Sequence, residues 1–272
     1  MASFKRSLDK IFVIGLLATG LLMPALGKLQ AQSLPESISN QLPTEWKFDP
    51  PERGKPEGRE GGATRGPCIK NNQQLQVLGP DQGAITASGY PSFFWYLPET
   101  NSDDVVELEF LLEDETGNEV YKTQYQIGSA DGVGENPHGI MRLDLPSLTD
   151  ANPLAMAQRY RWEVSLACGE GFNKQTLQWD RSYVYRDPQK QSIANLIEEE
   201  NSLEERIVRY AEAGLWPETL ASLYEARLQE PNNPDFKQAW TKLLNSVGLQ
   251  NISQYEFASD TATRSELVPS SE

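Results

Sequence analysis

Residues 160–168 read Tyr160-Arg161-Trp162-Glu163-Val164-Ser165-Leu166-Ala167-Cys168. Apolar side chains fall at every second position, with Arg161, Glu163 and Ser165 between them. That period places one face in a core and the other in water, as in a half-buried β-strand. The pattern recurs on the N-terminal side. Val106, Leu108, Phe110 and Leu112 alternate with Glu107 and Glu109. Tyr121, Thr123, Tyr125 and Ile127 alternate with Lys122, Gln124 and Gln126. Met141, Leu143 and Leu145 alternate with Arg142 and Asp144. Turn-forming stretches separate the runs: Glu115-Thr116-Gly117-Asn118, the Gly-rich residues 128–139, and residues 146–153 and 168–173. Short strands at this spacing predict a chain that is mainly β with α. Its core is an antiparallel, Ig-like β-sandwich of about seven strands over residues 68–187.

The densest aromatic stretch is Pro91-Ser92-Phe93-Phe94-Trp95-Tyr96-Leu97-Pro98. As a central strand it puts Phe94 and Tyr96 on one face and Phe93, Trp95 and Leu97 on the other. One face is core. The other meets helices or forms an exposed patch, and packing is favoured because monomers rarely leave large apolar patches uncovered.

From Asp187-Pro188 the spacing turns helical and predicts a C-terminal helical segment over residues 188–249. Ser202-Leu203-Glu204-Glu205 is a capping box. Leu203, Ile207, Tyr210 and Ala211 form a stripe that Gly214 ends. Pro217 suits a first helical turn. Leu220, Leu223, Arg227 and Leu228 follow a second face. After the break at Pro231-Asn232-Asn233-Pro234 comes the cleanest stripe, through Phe236, Ala239, Trp240, Leu243, Leu244 and Val247. Gly214, Trp216, Glu218, Ala226 and Leu228 give a local likeness to one tetratricopeptide (TPR) hairpin. A single repeat does not make an independent array.

The N-terminus reads as a signal peptide over residues 1–31. Lys5, Arg6 and Lys10 precede an uncharged apolar run over residues 11–26, followed by small residues at Ala25, Gly27 and Ala31. The run is shorter than the ~20 residues a bilayer span needs. Export to the periplasm or the extracellular space is therefore expected, with no membrane span in the mature chain. Residues 32–67 include the Pro-, Gly- and charge-dense stretch 49–67 and read as a disordered linker, with Trp46 and Phe48 available to dock. The polar residues 250–272 read as a disordered tail.

The formal net charge is −15, near −18 once the net +3 of residues 1–31 is removed. Phosphate backbones are repelled, so nucleic acid is not an expected partner. The cysteines are Cys68 and Cys168. In an exported chain such a pair forms a disulfide more often than it remains as two buried thiols.

Gly61-Gly62-Ala63-Thr64-Arg65-Gly66-Pro67-Cys68 and Thr86-Ala87-Ser88-Gly89-Tyr90-Pro91 with the aromatic run that follows resemble a cyanobacterial exported family, domain of unknown function 928. Tyr160-Arg161-Trp162-Glu163-Val164, Tyr210-Ala211-Glu212-Ala213-Gly214-Leu215-Trp216 and the closing Trp240-Thr241-Lys242-Leu243-Leu244 continue the likeness, which runs from Gly61 to Leu249. Ser182-Tyr183-Val184-Tyr185-Arg186 departs from the family's usual last strand. The resemblance implies an exported cyanobacterial origin and no assigned activity.

Catalytic signals are sparse. His138 is the one histidine and lies in a Gly/Pro/Asn-rich loop without a nucleophile motif. One histidine and a cysteine pair leave no zinc set, and no cofactor is expected. Asp131-Gly132-Val133-Gly134-Glu135 lacks the oxygen count of a calcium loop. Asp103, Asp104, Asp114 and the acids at 198–200 fall where acids are common, and nothing marks a proton donor and nucleophile among them. Asn251-Ile252-Ser253 matches a glycosylation acceptor.

The sequence therefore points to a non-enzymatic envelope protein that binds another protein or a polymer. Its expected contact surface comprises Phe93, Trp95 and Leu97 together with Trp216 and Trp240 of the helical segment. The alternatives are a periplasmic hydrolase using paired carboxylates and an accessory domain of an envelope sensor.

Overall fold

A computed structural model gives the fold and describes residues 37–46, 60–63, 68–101, 106–127, 137–145, 152–169, 174–200 and 202–258. The strands are β1 (Glu60–Ala63), β2 (Gln76–Val77), β3 (Ala84–Thr86), β4 (Ser92–Leu97), β5 (Val106–Asp114), β6 (Glu119–Ile127), β7 (Gly139–Asp144), β8 (Gln158–Cys168) and β9 (Gln175–Arg186). The helices are α1 (Ile38–Gln41), α2 (Gln191–Glu198), α3 (Leu203–Glu212), α4 (Trp216–Gln229) and α5 (Pro234–Asn245). The chain is mostly β, with antiparallel sheets in a sandwich-like arrangement and helices beside them.

The large sheet runs β1-β9-β8-β5-β6, and β3 pairs parallel to the end of β9. The small sheet runs β2-β4-β7. Alternation along β5 and β8 turns Phe110, Trp162 and Val164 inward, where Phe93 and Trp95 of β4 meet them. Phe93 lies 5.1 Å from Phe110 and 5.1 Å from Trp162, centroid to centroid.

The other face of β4 packs on the helices. Phe94 and Tyr96 share a core with Leu220 and Leu223 of α4 and with Trp240 and Leu243 of α5. The molecule is thus layered as helices, small sheet and large sheet. The two-faced assignment of residues 93–97 agrees with the alternation in the sequence, and the second face is covered.

Bonds from β9 tie the sheets along their edge. The amides of Leu75 and Val77 donate to Gln178 Oε1 (2.6 Å) and Asp180 Oδ2 (2.8 Å). Both acceptors are buried, and the bonds satisfy them there. At one end Cys68 and Cys168 form a disulfide across the sandwich, with Cα atoms 6.5 Å apart.

Two expectations need correction. The span 32–67 was expected to be a linker, yet it contains α1 and β1. Asp235, in the first turn of α5, accepts the Ile38 amide at 2.9 Å and the Ser39 amide at 3.2 Å, pinning α1. Trp46 packs edge-on against Trp216 at 5.0 Å. The span 250–272 was expected to be a free tail, yet Ile252 is buried and Phe257 packs on Tyr224 (4.2 Å) and Trp240 (5.2 Å). Apolar side chains spaced through a polar segment were enough to bring it onto the helical core. The signal peptide expected at 1–31 lies outside the described residues.

Two outcomes follow. Phe94→Ala and Trp95→Ala, on opposite faces of β4, are each expected to cost about 3–5 kcal/mol in urea unfolding. A near-neutral result for either would mean that its face is not core. Replacing both cysteines by alanine opens a link spanning 100 residues. It is expected to cost about 4–5 kcal/mol on the loop-entropy model, read from the same titration.

Candidate functional site

None of the five expected contact residues is available to a partner. Phe93, Trp95 and Leu97 lie between the sheets, and Trp216 and Trp240 lie in the helical core. Trp240 is 0% exposed, and the Trp216 indole donates to the Leu78 carbonyl at 3.0 Å. Their size made them core anchors, because burying such rings is worth more than displaying them.

His138 sits just before β7 and is exposed. Asp103, Asp104 and the acids of the 131–135 stretch lie outside the described residues. No group of three or more His, Cys, Asp or Glu side chains able to hold a metal is found among the described residues. Asp114 closes the β5–β6 turn. The Thr116 hydroxyl and the Asn118 amide hold its carboxyl well below the usual range.

The surface that stands out is the outer face of the large sheet, and it arises from an inversion in β9. Gln178, Asp180, Ser182 and Val184 point inward and are buried. Trp179, Arg181, Tyr183 and Tyr185 therefore point outward and remain partly exposed. The Arg181 guanidinium lies 5.2 Å from the Trp179 ring, within cation–π range. A Cβ at Gly62 of β1 would collide with the Trp179 indole, so only glycine lets that ring lie across the strand.

Beside this aromatic row run rows of paired charge. Arg161 Nε donates to Glu113 Oε2 at 3.0 Å, Lys122 pairs with Glu109 at 2.9 Å, and Lys174 pairs with Glu107. Glu163 lies between them. Half-burial pushes its carboxyl up against the opposing pull of Arg181 and Arg161. At one end the face dips into a cleft of ≈ 510 Å³ lined by the Asp114–Gly117 turn, Arg159, Arg161 and Tyr183. Such a surface offers flat rings, fixed cations and fixed carboxylates. It can stack, hydrogen-bond and discriminate by charge.

The sequence hid this face. The alternation Trp179-x-Arg181-x-Tyr183-x-Tyr185 was the available signal, but on simple polarity it is equally well read with the aromatics inside.

A second feature is Glu218 in the first turn of α4. Its Oε1 accepts from Thr86 Oγ1 (2.6 Å) and from the amides of Ala87 (2.9 Å) and Ser88 (3.1 Å). The residue as a whole is half-buried, but Oε2 is sealed and has no hydrogen-bond partner among the described residues. Burial pushes this carboxyl up, against the pull of the three donors. It lines a cleft of ≈ 180 Å³ with Ser88, Tyr210, Glu198 and Glu225.

Comparison with known proteins gives one firm result. The model of the family described as Domain of Unknown Function (DUF928) matches residues 60–257. The chain belongs to the DUF928 family. No curated protein matches it. Among solved structures it is similar to the β-glucuronidase of Bacteroides uniformis, at 13% identity and TM-score 0.28, over 66% of this chain and 26% of that one. It is also similar to the β-glucuronidase of Parabacteroides merdae, at 14% identity and TM-score 0.21, over 41% of this chain and 13% of that one. The chain thus spans about a quarter or less of each enzyme, and at these scores neither informs its fold or activity.

Glu218 gives a pH test. A carboxyl whose folded pKa is raised binds its proton more tightly in the folded state. That contribution is full below the unfolded value, about 4.3, and is lost as pH rises through the folded value. Glu218→Gln keeps an acceptor for the 86–88 loop and cannot ionise. The Tm of wild type minus that of E218Q should therefore fall between pH 4 and pH 8. Parallel melting curves across that range would refute the assignment.

Proposed function

We propose that this DUF928 protein is a non-enzymatic binding protein of a cyanobacterial cell envelope, exported by residues 1–31. In this proposal the outer face of the large sheet is its contact surface for another envelope protein. The observation that carries it is the row Trp179, Arg181, Tyr183 and Tyr185, partly exposed on a sheet face instead of packed. Trp, Tyr and Arg are the side chains most enriched at the centres of protein interfaces. The paired carboxylates around them give a rim that sets register and rejects mismatched charge.

On this proposal the sandwich is Ig-like and α3 with α4 is a TPR-like hairpin that braces it. In support, Gly214 takes a positive φ of 72° between the two helices, and Pro217 lies in the first turn of α4. Among the described residues no helix is long and apolar enough to cross a membrane. A hydrolase is the weaker alternative. Glu218, a sealed carboxyl with a raised pKa that lines a cleft, is already committed to the 86–88 loop.

A photo-crosslinking residue at Tyr183, introduced in the native cell, is expected to capture one protein. The same residue at Leu196, exposed on α2, should not capture it. Trp179→Ala with Tyr183→Ala should abolish capture by a crosslinker at Tyr185 without changing the circular dichroism of the protein. Equal capture from both faces, or capture that survives the double substitution, would overturn the proposal.

A further inference from the structure

We infer that two copies of this chain join edge to edge through β6, about a two-fold axis at Thr123.

β6 is the last strand of the large sheet. It is paired on one side by β5 and, among the described residues, by nothing on the other. It is nine residues long, contains no proline, and presents Lys122, Gln124 and Gln126 to solvent. An edge of this kind offers a row of open N–H and C=O groups to another strand. The small sheet treats its edges differently. The β7 edge is covered by the C-terminal segment: Ile140 N donates to Glu256 O, and Ala258 N donates to Ile140 O, each at 2.9 Å. Amides flanking β2 and within it donate to Gln178 and Asp180. Among the described residues those edges are closed and β6 is open.

The strand is complementary to itself in one antiparallel register. Pairing about Thr123 sets Tyr121 opposite the partner's Tyr125, Lys122 opposite the partner's Gln124, and Glu119 opposite the partner's Ile127. No like charges face each other. Within one chain Glu109 already holds both Lys122 (2.9 Å) and Gln124 (2.6 Å). Across the axis each Lys122 therefore meets an amide with a carboxylate behind it. Each row then reads carboxylate, amide, ammonium, and the same charge match occurs twice around the axis, as a two-fold interface requires.

Thr123 lies on the axis. Its side chain is buried, and two such side chains lie across adjacent strands with Cβ atoms about 4.5–5.5 Å apart, close enough to pack on one another.

Sedimentation of the full chain from about 1 to 100 μM is expected to report a monomer–dimer equilibrium. Lys122→Glu replaces the ammonium of each row with a carboxylate, leaving a carboxylate on either side of the Gln124 amide, and should weaken the dimer by about tenfold or more. Glu109→Lys combined with Lys122→Glu restores the alternation and should restore dimerisation. Thr123→Cys should give a covalent dimer under mild oxidation. Circular dichroism melts identify any variant that fails to fold. A wild type that stays monomeric throughout, a K122E protein that dimerises like wild type, or a failed charge-swap rescue in folded protein would overturn the inference. So would binding of an unrelated strand at β6 by a strictly monomeric chain.

Discussion

Burial of β4 on both faces is the constraint from which the rest of the architecture follows. A six-residue strand carrying Phe93, Phe94, Trp95, Tyr96 and Leu97 cannot sit at a surface on either side. It needs a sheet below and helices above. The large sheet supplies Phe110 and Trp162 to one face, and α4 and α5 supply Tyr224 and Trp240 to the other. The C-terminal segment completes the second face, where the Tyr255 ring stacks 4.2 Å from that of Tyr96. Residues 251–258 are thus an integral part of the helical core and not an appendix to it.

The same demand explains the inversion in β9. A small sheet of three strands leaves backbone amides near β2 without partners, inside an apolar sandwich. Leaving such groups unmet costs about 1–3 kcal/mol each. Gln178 and Asp180 turn inward to accept them, and the pleat then sends Trp179, Arg181, Tyr183 and Tyr185 outward. The exposed row thus follows from a buried polar requirement. The surface proposed for binding and the bonds that hold the sheets together are two sides of one strand.

Much of this was legible in the sequence. The alternation through β5, β6, β7 and β8 marked their inward faces, and a lone pair of cysteines in a chain expected to be exported suggested the link that forms. The capping box at Ser202 and the proline at 217 located α3 and α4. Other features depended on tertiary partners that no local pattern encodes. Trp216 and Trp240 look like contact residues on an amphipathic helix until β4 arrives to cover them. The Ile38–Gln41 turn is too short to be stable alone and exists because Asp235 caps it. The 250–258 segment is polar on average, and only a few side chains anchor it. β9 misleads for the opposite reason: its alternation is clear, but its sign is reversed by the edge bonds.

The cavity lined by Leu78, Phe93, Trp162 and Trp216 holds about 20 Å³, room for roughly one water. The layers are closely packed around it. The proposed recognition is on the outside, where the clefts beside Arg161 and beside Glu218 are polar and the paired charges are already in place. Ion pairs at such a surface contribute about 0–1 kcal/mol each to stability. Their organisation in rows, Glu107 with Lys174, Glu109 with Lys122 and Glu113 with Arg161, makes little difference to whether the chain folds. It does fix the positions of the carboxylates and cations before a partner arrives. A partner then need not supply the ordering entropy of those long side chains, which is the cost that otherwise weakens polar contacts.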